Sequence, residues 1–306
     1  MANILIRSPY YQYATQAGSL SAKLELSING NLEYTIIKDT VGTSVLFEIS
    51  ELVADYIDIT YNGTYVSQVV VSSGVITFYS GKNASGSIVG TPTQFNHIGL
   101  EGYSTFKEGK NYTIADETLL QSNTIMYVPE GVAGVIPYID EGEIVYQSFS
   151  TSATSATVVT IPVTINRTCD PKYTPIKVTF VNKFGALQDI YFDKKSVNKY
   201  STTSENFKRN IIGIDGSYST TRHQSYNKNF SMSESITLNT GFVSESMDEV
   251  INQLTLSAYI WGEINSEIIP LKIVTTDQTR KTHLNDKLIN YTIEFEYAFD
   301  SINNIR

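Results

Sequence analysis

Hydrophobic and polar positions alternate most clearly near the end of the chain. Between residues 288 and 299, Ile289, Tyr291, Ile293, Phe295, Tyr297 and Phe299 fall on one side of an extended backbone. Asn290, Thr292, Glu294, Glu296 and Ala298 fall on the other. A period of two residues is that of a strand with one buried face. At roughly 3.3 Å per residue it reaches about 40 Å, longer than the usual strand of roughly 5–6 residues. Its aromatic side needs a sheet or a neighbouring subunit to cover it. This stretch predicts the spine of the C-terminal half.

The alternation recurs upstream. Residues 22–28 alternate, Asn29-Gly30 follows, and 32–37 alternate again. Asn-Gly between two such runs signals a hairpin, because both residues accept positive φ. A second hairpin is predicted where 56–61 and 65–71 flank Asn62-Gly63. Between the two, 50–56 predicts one or two helical turns capped by Ser50. Ser72-Ser73-Gly74 leads into a strand over 75–79. Short strands with polar turns at this spacing predict an N-terminal β-sandwich module over 1–80.

Residues 81–123 carry Gly81, Gly86, Gly90, Gly99, Gly102 and Gly109 but little periodic hydrophobicity. They predict irregular contact loops or an arm, ordered by neighbouring chains. Residues 124–168 predict a small middle β portion. Its strands lie at 125–139, 143–149 and 158–165, with a Ser/Thr-rich linker over 148–157. From 169 to 306 the pattern tightens into strands at 175–181, 187–192, 235–242 and 268–276, with turns at 182–185 and Asn285-Asp286. One helix is predicted at about 246–257. Ser246 and Glu249 have capping-box spacing, and Met247, Val250, Ile251 and Leu254 recur at helical intervals. The predicted fold is all-β: Ig-like β-sandwich modules, the C-terminal one with a single packed α-helix.

Composition narrows the classes. The 306 residues leave room for about two domains. An apolar fraction of 41% with 17% charged residues supplies real cores and too little charge for disorder. Lys and Arg number 22 against 31 Asp and Glu, a net charge of −9. That balance argues against sequence-specific nucleic-acid binding and suits a surface to which DNA does not stick. The single cysteine, Cys169, leaves no internal disulfide and no multi-cysteine metal site. No apolar run approaches the roughly 18 residues of a membrane helix, so no membrane insertion is expected. The first seven residues lack the pattern of a signal peptide. Asn62-Gly63-Thr64 is accordingly expected to stay unglycosylated.

Candidate chemistry is sparse. His97, His223 and His283 are far apart, without ligand-spaced partners, and read as surface or turn histidines. Asp140-Glu141-Gly142-Glu143 lacks the alternating oxygen ligands of a Ca²⁺ loop and reads as a solvated turn. Residues 81–86 have neither the spacing nor the Lys-Ser/Thr ending of a phosphate loop. Cys169 reads as a small buried hydrophobe. No catalytic, cofactor-binding or metal-binding residues are assigned, and no enzyme is expected. The excess is tyrosine, 21 residues beside the single Trp261. Tyr suits pleated strands and subunit contacts alike.

Two blocks carry a family likeness. One runs from Lys172 to Asp189, with Thr179-Phe180-Val181-Asn182-Lys183-Phe184-Gly185 at its centre. The other starts at Glu234-Ser235-Ile236-Thr237-Leu238-Asn239-Thr240-Gly241-Phe242, continues through the helix and the Asn285-Asp286 turn, and ends in Asp300-Ser301-Ile302-Asn303-Asn304-Ile305-Arg306. Ser8-Pro9-Tyr10-Tyr11 and residues 47–57 match in the same sense. Together they resemble virion structural proteins of tailed phages infecting Bacteroidota, crAss-like phages included. The resemblance implies a tail, neck or baseplate component, made in the host bacterial cytoplasm and assembled as a six- or twelve-fold ring around the DNA conduit. The implied partners are copies of itself and other phage tail, neck or portal proteins. The alternative is a peripheral receptor- or carbohydrate-binding module of the tail, with a host glycan as ligand.

Overall fold

Sheet pairing begins with the first residues. Strands β1 (Ala2–Leu5), β2 (Tyr11–Thr15), β3 (Ser21–Ile28), β4 (Asn31–Asp39) and β5 (Ser44–Glu48) precede a short helix α1 (Ser50–Ala54), then β6 (Val70–Tyr79) and β7 (Ile88–Leu100). One sheet has the order β1-β7-β6-β3-β4, and β2 pairs with β5 in a second. Leu24, Leu26, Ile28, Ile76 and Phe78 share a buried core with Ala14, Val45 and Phe47. Each large side chain buried here contributes roughly 1.5–3 kcal/mol. The structure is a computed structural model that describes residues 2–168, 172–275 and 288–302. Cys169, His283 and the Asn285-Asp286 turn lie outside the described residues.

The first hairpin forms as the pattern predicts. Asn29 (φ 49°) and Gly30 (φ 85°) turn β3 into β4. The second does not. Gly63 (φ 96°) turns the chain and Thr64 N–H donates to Asn62 Oδ1 at 3.1 Å, but the flanks make no ladder. Instead, the Gln68 side chain accepts from Thr60 N (2.7 Å) and donates to Thr60 O (2.8 Å). Ile59 and Tyr61 are thereby free to pack on Val181 and Leu187 of the C-terminal half. Nor does Ser50 cap α1: its hydroxyl donates to Glu48 Oε1 and accepts from Tyr10 N at 3.2 Å.

The expectation of irregular loops over 81–123 is corrected at residues 88–100. This segment is β7, paired with β6 and, in parallel, with β1. Its register shifts opposite residues 76–78, where Gly90 (φ 71°) and Pro92 occupy a bulge. Pro cannot donate to a ladder, so a bulge is where a strand accommodates it. Residues 101–123 hold only a 3-10 turn (Phe106–Glu108) and an isolated bridge from Leu119 to Tyr138. Likewise, 72–74 belong to β6 itself, and Gly74 lets the Phe95 ring lie against the backbone.

In the middle, β8 (Ile125–Pro129) pairs in parallel with β12 (Ile161–Thr168), which also takes β11 (Ser155–Val158). Part of the expected linker is thus strand. The hairpin of β9 (Gly134–Asp140) and β10 (Glu143–Phe149) turns at Glu141 and Gly142.

The C-terminal sheet is antiparallel throughout, in the order β14-β13-β17-β18-β19-β16-β15. Its strands are β13 (Ile176–Val181), β14 (Leu187–Phe192), β15 (Val197–Lys208), β16 (Ser225–Ser244), β17 (Ile260–Ile264), β18 (Glu267–Ile273) and β19 (Leu288–Tyr297). The spine strand is β19, and Tyr291, Ile293 and Phe295 are its buried residues. Phe295 meets Phe192 edge-on, with centroids 6.0 Å apart. The strand ends at Tyr297, which leaves Phe299 half exposed. Helix α2 (Asp248–Thr255) follows a 3-10 turn (Glu245–Met247) and buries Val250, Ile251 and Leu254 in the same core. The cap lies two residues earlier than the spacing predicts and belongs to the 3-10 turn. Ser244, not Ser246, accepts, from Ser246 N at 3.4 Å. All-β architecture with sandwich-like layers and one packed helix is therefore the fold.

Candidate functional site

The β15–β16 hairpin is the feature that the body does not use for itself. β19 supports β16 from Ser235 to Ser244. On the other side of Ser235, among the described residues, β16 has β15 as its one strand partner, in a two-stranded ribbon closed by residues 209–224, and Ser301 N donates to Met232 O at 3.0 Å. Seven residues, 225–231, carry it on the order of 20 Å past that last contact. All twelve residues of β15 are exposed. A lone two-stranded ribbon is marginal in water, and this one is braced along its length. Phe207 meets Tyr226 edge-on at 5.3 Å. Lys228 Nζ lies 4.4 Å over the Phe207 ring, and Arg209 lies 5.4 Å over Tyr226. Asn229 Nδ2 donates to Glu205 Oε2 at 2.6 Å. At the tip, Asp215 accepts from the Ser217 hydroxyl (2.6 Å) and amide (3.1 Å). Those bonds hold its carboxyl below the ordinary range.

The arm is basic on an acidic chain. Lys194 and Lys195 stand at its root, and Lys199, Lys208, Arg209, Arg222 and Lys228 stand along it. Against these seven, residues 194–234 hold only Glu205, Asp215 and Glu234, a net charge of +4. The rest of the chain therefore carries −13, for a total of −9. The whole-chain balance conceals this; counting charge in windows reveals it.

A second constellation joins the two halves. Tyr65 Oη donates to Asp189 Oδ2 at 2.6 Å, and Thr179 Oγ1 donates to Asp189 Oδ1 at 2.7 Å. Lys177 Nζ pairs with Glu263 at 2.9 Å and stands 5.9 Å from the Tyr61 and Tyr65 ring centroids. Tyr61 packs on Trp261 at 5.6 Å, and Trp261 stacks with Tyr259. Burial raises the Asp189 carboxyl, which nearby Lys177, Tyr65 and Thr179 only partly offset. Burial also raises the Tyr65 phenol, and the charge of Asp189 adds to it. Tyr65, Thr179, Asp189, Lys177 and Glu263 each have a partner within the seam, so its chemistry is that of a latch between halves. Several of the tyrosines are thus spent on internal contact, while Tyr200 and Tyr218 are exposed on the arm.

The residues weighed from sequence fall out as follows. His97 is not a surface histidine. It is buried in β7, its Nε2 3.2 Å from Gln12 Oε1 and its ring against Tyr10 and Phe95. Burial lowers its pKa. His223 is exposed at the arm tip, where its carbonyl accepts from Arg209 Nε at 3.0 Å. Residues 140–143 form the β9–β10 turn. Residues 81–86 close the β6–β7 hairpin, with Gly81 N–H donating to Ser85 O at 2.9 Å and Ala84 N–H to Ser21 Oγ at 2.9 Å. Among the described residues no three His, Cys, Asp or Glu side chains gather as metal ligands, and no helix is long and apolar enough to cross a membrane. A cleft of about 280 Å³ lies between residues 8–11 and 104–110, beside the fully exposed Phe106. No protein-family model, no curated protein and no solved structure matches this chain.

Proposed function

We propose that the chain is a non-enzymatic structural protein of a tailed-phage virion, a tail, neck or baseplate component that assembles with copies of itself around the DNA conduit. The observation that carries the assembly part is the arm. A strand with all twelve residues exposed, reaching past its sheet, gains little within one chain. It gains contact area when a neighbour covers it. The virion part rests on the sequence resemblance over residues 172–189 and 234–306. The test is copy number: quantitative mass spectrometry of purified particles should find six or twelve copies. One or three copies per particle would remove the ring.

A second reading has its own observation. The cleft lined by Ser8, Pro9, Tyr11, Ser104 and Thr105, with Phe106 on its rim, is open and carries aromatic and hydroxyl groups. Such a surface suits a sugar face, and a glycan array of host-envelope saccharides tests it. Retention of one saccharide, lost on Phe106→Ala, would favour a receptor-binding module over a conduit ring.

A further inference from the structure

We propose that the β15–β16 arm of one copy seats on the acidic body of a second copy, against the open edge of β4. This deepens the assembly part of the reading above and does not depend on the virion part. The arm carries +4 and the remainder of the chain −13. Opposite fields of that kind steer two copies together and set their orientation. Among the described residues, Lys194 is the one arm cation in an ion pair, with Asp193 at 3.1 Å. The others stand over arm rings or in solvent, so their countercharge is still to be supplied. Because β15 is exposed along its whole length, its own body does not supply it.

The arm is also apolar at its tip. Ile212, Ile214 and Tyr218 are exposed, Ile214 completely, and Phe230 is half exposed on the ribbon. A nucleic-acid backbone answers the cations but buries none of these, whereas a protein surface answers both. The edge of β4 presents the complementary set. Among the described residues β4 pairs only with β3, so its outer N–H and C=O groups are open. It carries Glu33 and Asp39, with Lys38 between them and Lys82 3.9 Å from Asp39, and exposed Leu32 and Ile37, with exposed Val41 and Leu46 beside it. An arm on one side of a molecule and a seat elsewhere make a head-to-tail contact, the kind that closes into rings.

The full chain tests this by analytical ultracentrifugation, alone and as Lys199→Glu/Lys208→Glu/Arg222→Glu, three cations that do not brace the ribbon. A second variant, Ile212→Ser/Ile214→Ser, removes only the apolar part. All altered residues are exposed, and thermal melts should confirm unchanged folding. The wild type should self-associate, more weakly as salt rises, and each variant should lose about tenfold or more in affinity. Zero-length cross-linking of mixed ¹⁴N and ¹⁵N chains should join Lys208 or Lys228 of one copy to Glu33 or Asp39 of another. A monomeric wild type, variants that associate equally well, or cross-links that miss β4 would overturn the proposal. So would arm-dependent retention of duplex DNA without self-association. Rings in particles that survive arm reversal would sink this contact alone; arm-dependent association of a protein absent from particles would sink the virion reading alone.

Discussion

Tyr65 and Asp189 are 124 positions apart in sequence and 2.6 Å apart in space. Their hydrogen bond fastens the turn at residues 62–65 to the edge strand of the C-terminal sheet. Asp189 is buried and has Thr179 as its other hydroxyl donor. Tyr65→Phe removes one donor and leaves carboxylate oxygen buried without it, which should cost about 1–3 kcal/mol. Chemical denaturation measures it. A change under about 0.5 kcal/mol would show that the seam contributes nothing to holding the halves together.

The same carboxyl gives a pH dependence with a definite sign. Burial raises Asp189, so the folded chain holds that proton more tightly than the unfolded chain. Its contribution is fully present below the ordinary carboxylate value of about 3.9 and is lost as pH rises through the folded value. Asp189→Asn is neutral at every pH. Its stability relative to wild type should therefore improve as pH climbs from about 4 to 7. Urea midpoints across that range decide it; a wild-type advantage that grows with pH would mean the seam holds the carboxylate ionised.

On the spine strand, Ile293 is fully buried, while Glu294 is partly buried and accepts from Ser235 Oγ at 3.1 Å. Ile293→Ala should leave a cavity that costs about 2–5 kcal/mol. Glu294→Gln keeps an acceptor in place and should shift stability by no more than about 0.5 kcal/mol. Equal damage from both would contradict the period-two assignment of β19.

Gly74 tests close approach in the N-terminal sheet. A Cβ there would fall inside the Phe95 ring across the β6–β7 pair. Gly74→Ala should destabilise by about 1–3 kcal/mol through overpacking. Adding Phe95→Leu should recover part of the loss. If the double variant is no better than the single, the cost arises elsewhere in β6.

The start of α2 separates two serines. Ser244 Oγ accepts from Ser246 N, whereas Ser246 lies inside the 3-10 turn. Ser244→Ala should cost about 0.5–1 kcal/mol, and Ser246→Ala less than that. Thermal melts that rank them the other way would restore Ser246 as the cap.

The strands with one wet and one dry face were legible in the sequence. β3 and β19 alternate because a sheet face must be apolar where it is buried, and Asn29-Gly30 turns because both residues accept positive φ. Helix α2 was legible through the spacing of Val250, Ile251 and Leu254. β7 was not, because Gly90 and Pro92 interrupt it and only a bulge opposite β6 absorbs them. β15 was not, because an arm exposed on both faces has no reason to alternate. The flanks of Asn62-Gly63 alternate as a hairpin would, yet Ile59, Tyr61 and Tyr65 follow a stronger demand, the burial offered by Val181, Leu187 and Asp189. Local pattern therefore determined which segments extend and which face of each is dry. Tertiary structure alone decided which edges meet, where Tyr65 finds Asp189, and that the basic segment after residue 193 projects past its sheet as a ribbon. Those outcomes depend on contacts between residues tens to more than a hundred positions apart, which no local period encodes.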